Sequence, residues 1–62
     1  MKRYSSREII KILEQDGWFL LGARGDHHYF KHKTKPGKIT VPHPEKDVAP
    51  KTAKSIFKAA GL

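Results

Sequence analysis

Ile9, Ile10, Ile12 and Leu13 fall at helical spacing, with Arg7, Lys11 and Glu14 on the wetter side, so one apolar stripe runs along a helix. Ser5 can cap its start, and Glu8, three residues on, can reach back as the acid of a capping box. Gly17 stops it at a position that favours the left-handed conformation, so the helix is expected over Ser6–Asp16. Trp18–Ala23 is short, apolar and aromatic, and reads as a strand. Arg24-Gly25-Asp26 is a tight turn into a second strand that ends at His32, giving an antiparallel hairpin. Alternation divides that strand between two faces: His27, Tyr29 and Lys31 on one, His28, Phe30 and His32 on the other.

Lys33-Thr34-Lys35-Pro36-Gly37 is a turn marked by Pro-Gly. Lys38-Ile39-Thr40-Val41-Pro42 alternates over β-branched residues and is a third strand. His43–Ala49 is a loop, because two prolines in three residues exclude a central strand there. Pro50 suits the first turn of a second helix, where Ala53, Ile56, Phe57 and Ala60 make one apolar face and Lys51, Lys54 and Lys58 another. Residues 1–4 read as a short basic lead-in. The order is α-β-β-β-α, an α+β fold in which a three-stranded antiparallel sheet carries both helices on one face.

At 62 residues, one domain covering 1–62 is expected. A domain this small buries only roughly 60% of its unfolded surface, so its stability is marginal. There is no cysteine, hence neither a disulfide framework nor a thiolate metal site to compensate; a partner protein can.

Charge sharpens the functional reading. Thirteen Lys and Arg against 6 Asp and Glu give a net charge of +7, a bias toward polyanions. No apolar run approaches the ~20 residues that span a bilayer. Met1-Lys2-Arg3 leads into a charged helical pattern rather than an apolar leader, so the expected location is the cytoplasm.

Four histidines invite a metal site, but the spacing argues against one. His28 and His32 share a face about 13 Å apart, His27 and His28 point to opposite faces, and a site needs His43 to fold back. A nucleophilic hydrolase is disfavoured as well. Ser5, Ser6 and Ser55 are accounted for by a cap and a helix surface, and there is no Gly-x-Ser-x-Gly elbow. RNA, however, carries its own nucleophile in the 2′-OH. Cleaving it needs a base, an acid and positive charge near the phosphate, and a histidine of ordinary pKa near 6.5 can transfer the proton. Arg24 and Lys31 can hold phosphate beside such a histidine, while Asp26 opposes them.

Each residue also has a plain structural role. A histidine opening an edge strand is ordinarily a solvated or capping residue. Tyr29 and Phe30 are more often packing residues than stacking platforms, and Trp18 is core. The lysines of the second helix need be no more than its wet face.

The chain resembles the HicA (YcfA-like) toxin family along nearly its whole length. Asp16-Gly17-Trp18 closes the first helix, and Gly25-Asp26-His27-His28-Tyr29-Phe30-Lys31-His32 is similar to that family's Gly-Ser-His-His-x-Phe-x-His element. Lys38–His43 is similar to its Val-Pro-x-His strand, and Thr52 through Ile56 to Ala60-Gly61-Leu62 to its terminal element. The resemblance implies a double-stranded-RNA-binding-domain-like fold and an endoribonuclease that cuts mRNA without a metal or other cofactor and arrests growth. It also implies neutralisation by a HicB-type antitoxin that blocks the active face. It assigns the catalytic histidine to His27 and the glycine before it to Gly25. Asp26 departs from the family's serine; a carboxylate beside the scissile phosphate repels it, so either activity is weaker or Asp26 points away.

The expected RNA-binding set is Arg24, Gly25, Lys31, Lys33, Lys35 and Lys38, with no metal ligand. His28 and His32 are assigned to structure, and His43 to packing near the site or capping a turn. Two rivals stand beside the nuclease. One is a non-catalytic RNA-binding module that holds RNA by shape and phosphate contacts; the other is a small interaction protein with an acidic partner.

Overall fold

The computed structural model describes residues 3–62. The elements follow the expected order: α1 (Ser6–Gln15), β1 (Trp18–Arg24), β2 (His27–His32), β3 (Lys38–Pro42) and α2 (Pro50–Ala59). The strands form one antiparallel sheet in the order β1-β2-β3. The histidine strand is therefore the central strand, paired on both sides, and not an edge.

The local signals act as written in the sequence. The Ser5 hydroxyl accepts from the Glu8 amide at 3.2 Å, and the Glu8 carboxylate accepts from the Ser5 amide at 2.9 Å, closing the capping box. Asp16 is the C-cap of α1, one residue short of the expected helical span. Gly17 follows at φ 103°, and a Cβ there would lie 2.8 Å from His32 Nε2, so both backbone and space demand glycine. Pro50 opens α2, whose N-cap Ala49 offers no side-chain bond.

One cluster makes the core. α1 gives Ile9 and Leu13, the sheet gives Trp18, Phe30, Ile39 and Val41, the loop gives Val48, and α2 gives Ala53, Ile56 and Ala60. Phe30, at the centre of the central strand, is wholly buried. Each large side chain so buried contributes about 1.5–3 kcal/mol against exposure. Both helices lie on the Phe30 side, and no described element covers the opposite face, which carries His27, Tyr29, Lys31, Lys38 and Thr40.

Three local readings change. Ser6 is buried rather than on the helix surface. Strand β1 is mostly exposed beyond Trp18; it is an edge strand of the sheet, and its ladder slips between Leu20 and Gly22, leaving Leu21 as a bulge. The basic lead-in is tied down where it is described: Arg3 pairs with Asp47 at 2.7 Å, and Tyr4 bridges to Val48, whose amide donates to the Tyr4 carbonyl at 2.8 Å. Met1 and Lys2 lie outside the described residues.

Candidate nucleic-acid interface

The β1–β2 connection has two residues between the paired Arg24 and His27. Gly25 takes φ 61° and Asp26 a negative φ, as the glycine-first type II′ hairpin requires. The turn delivers His27 to the start of β2, opposite Arg24 on one side and Pro42 on the other. Its imidazole is 57% exposed and makes no hydrogen bond with any described residue. The Asp26 carboxylate approaches its Nδ1 at 3.8 Å, beyond hydrogen-bond reach but facing it. Beneath them the Asp26 carbonyl accepts from the His43 amide at 2.7 Å, which carries the β2–β3 ladder one step past Pro42 and holds the turn.

The expected RNA ligands separate along the sheet. Arg24 and Gly25 share the His27 end. Lys31 lies four residues further along the same face, about 13 Å away at strand rise, and Lys38 is its direct partner on β3. Two lysines directly opposite destabilise a sheet unless an anion sits over them. Lys38 turns aside over the Tyr29 ring, with its ammonium 5.0 Å from the ring centre. Lys33 begins the next loop, about 20 Å from His27.

Lys35 leaves the set. Its ammonium ion-pairs with the Asp16 carboxylate and donates to the Ala60 carbonyl at 2.9 Å. It is an internal tie between the C-terminal ends of α1 and α2, which accounts for its charge without RNA. The same hydrogen bond, from Lys35, is the first cause that holds the Asp16 carboxyl below its ordinary pKa.

The core-face histidines are structural. His32 Nδ1 accepts from the Thr34 and Lys35 amides at 3.1 and 3.2 Å, so its proton is on Nε2, which donates to the Asp16 carbonyl at 2.7 Å. His43 does fold back to His28, with ring centres 4.9 Å apart and planes near perpendicular. No third donor joins them: among the described residues no group of three or more His, Asp or Glu could hold a metal ion.

One constellation escaped the sequence. The Ser6 hydroxyl accepts from the Glu45 amide at 2.8 Å and shares a hydrogen bond with His43 Nδ1 at 2.6 Å. It fixes the 43–45 loop, and with it His43 under the Gly25-Asp26 turn. Ser6 and His43 are 37 residues apart, and no local pattern joins them.

Comparison with known proteins agrees with this architecture. No curated protein gives a match. Among solved structures, a chain of a toxin–antitoxin complex from Streptococcus pneumoniae superposes with a TM-score of 0.79 at 30% identity, covering 94% of this chain and 97% of that one. The model of the family described as HicA toxin of bacterial toxin-antitoxin matches residues 6–62. That match spans nearly every residue of the core and all of the open face, and the chain belongs to the HicA toxin family.

Proposed function

We propose that this toxin is an endoribonuclease that binds mRNA on the open face of its sheet and uses His27 for proton transfer. One observation carries the reading: an exposed imidazole with no hydrogen-bond partner among the described residues opens the central strand, directly across from an arginine, on the face no helix covers. His27 removes the 2′-OH proton as the 2′-oxygen attacks the adjacent phosphorus. The P–O5′ bond breaks, leaving a 2′,3′-cyclic phosphate, and the 5′-oxygen takes up a proton. Arg24 holds a non-bridging phosphate oxygen. Gly25, lacking a side chain, lets the RNA backbone approach the turn, while Lys31, Lys38 and the more distant Lys33 hold flanking phosphates.

The partner is a HicB-type antitoxin that covers this same face. The solved relative is itself described as part of a toxin–antitoxin complex, which supports an antitoxin partner. Among the described residues no helix is long and apolar enough to cross a membrane. Action on mRNA places the working site in the cytoplasm.

A second reading, an RNA-binding module that does not cut, has one observation in its favour: the Asp26 carboxylate 3.8 Å from His27 Nδ1, where it repels phosphate. Paired induction separates the two. Cells expressing the parent chain arrest and their mRNA is cleaved; cells expressing His27→Ala at equal protein level grow, because losing a general base costs about 10²–10⁴ in rate. Purified His27→Ala still binds RNA. Equal cleavage by both proteins sinks the assignment.

A further inference from the structure

The geometry points to Tyr29 as a stacking platform for an unpaired base next to the scissile phosphate, which makes the substrate class single-stranded RNA. The inference rests on the RNA-cleaving reading above and deepens it.

Tyr29 is the next residue after His27 on the same face of β2, about 6.6 Å along the strand. A nucleotide whose phosphate reaches His27 can therefore set its base on that ring. The flanks of the ring are unequal. On the β3 side Lys38 lies over it, with its ammonium 5.0 Å from the centre. On the β1 side its ladder partner is Gly22, and a Cβ built at Gly22 meets nothing within 4 Å. The bulge at Leu21 is what brings glycine into register with Tyr29. The sheet thus holds an aromatic ring beside empty space on one flank and a cation on the other.

A ring so placed is only partly buried and belongs to no core contact, so packing does not explain it. Bases of every kind have a π-face, and aromatic residues on open sheet faces are a recurring way to hold single strands. Bases inside a duplex are already stacked on one another and cannot lie on the ring. Phe19, 45% exposed on the same face at the Lys31 rung, continues the surface away from His27.

The test uses the full chain carrying His27→Ala, so that RNA stays intact. The probe is a single-stranded RNA with one 2-aminopurine, whose fluorescence is quenched when it stacks. Binding is read by polarisation and stacking by quenching. The parent quenches the probe, and Tyr29→Phe does the same. Tyr29→Leu loses the quenching and binds about tenfold more weakly, the loss of one base–aromatic stack. Gly22→Val, which fills the empty flank and leaves the ring in place, loses it too. A duplex of the same sequence binds at least tenfold more weakly than the single strand. Unchanged quenching and affinity in both Tyr29→Leu and Gly22→Val overturn the platform while leaving RNA binding standing. Equal affinity for the duplex overturns the single-strand assignment. Failure of every protein to bind RNA, with no cleavage by the His27 parent, overturns the nuclease reading itself.

Discussion

The hydroxyl of Ser6, in the first turn of α1, is hydrogen-bonded to Nδ1 of His43, 2.6 Å away and just past the end of β3. The same oxygen accepts from the Glu45 amide at 2.8 Å, and the Ser6 amide donates to the Glu45 carbonyl at the same distance. The start of the first helix and the loop after the last strand are thereby fixed to each other. His43 in turn donates its amide to the Asp26 carbonyl, so the chain of bonds ends beside His27.

Ser6→Ala removes a buried hydroxyl and leaves the Glu45 amide and His43 Nδ1 without it. An unsatisfied buried group costs about 1–3 kcal/mol. In a domain of this size each kcal/mol lowers Tm by roughly 4–8 °C. Thermal unfolding of the variant is expected to show a fall of roughly 4–24 °C, and an unchanged Tm would refute the structural role of the serine.

The Asp16–Lys35 pair gives stability a pH dependence of definite sign. Lys35 holds the Asp16 pKa below its unfolded value, so its contribution is complete above about pH 4, the ordinary carboxylate value, and disappears as pH falls through the lower folded pKa. Asp16→Asn is expected to be less stable at neutral pH and to show a flatter acid limb. Urea midpoints at pH 7 and pH 3 measure this. Parallel acid limbs for the two proteins would show that another group sets the slope.

Asp26 faces the His27 ring at 3.8 Å and is 75% exposed, so it acts through solvent and its effect is screened. Asp26→Ser is expected to raise RNA cleavage by a few fold at low ionic strength, with the gain shrinking as salt rises. Rates of the two proteins compared across a salt series check it. A gain that ignores salt points away from charge.

The fold was legible because its signals are local. Ser5 with Glu8, Gly17, Gly25, Pro36-Gly37 and Pro50 mark the element ends, and strict alternation through Phe30, Ile39 and Val41 identifies the buried face of the sheet. His27 could be placed on the opposite face from the same alternation. What local pattern cannot carry is partnership at long range. Nothing near Lys35 in sequence announces that it reaches Asp16 and Ala60, so a lysine in a basic turn read as an RNA ligand. Ser6 read as helix surface for the same reason. The bulge at Leu21 was hidden as well, since Phe19-Leu20-Leu21 is apolar throughout and shows no change of period where the ladder slips.

The alternation of β2 makes the fold unusually sensitive to chain length at one place. His28, Phe30 and His32 face the helices while His27, Tyr29 and Lys31 face away. Deleting one residue between the Gly25 turn and Phe30 would exchange the two sets: Phe30 would meet water if the turn kept its register, and the His27 position would pass to the covered side if Phe30 kept its seat. Indels in this strand therefore cannot be absorbed as they are in loops. Substitution can change what the open face carries without disturbing the covered one, whereas a change of length in β2 disturbs both.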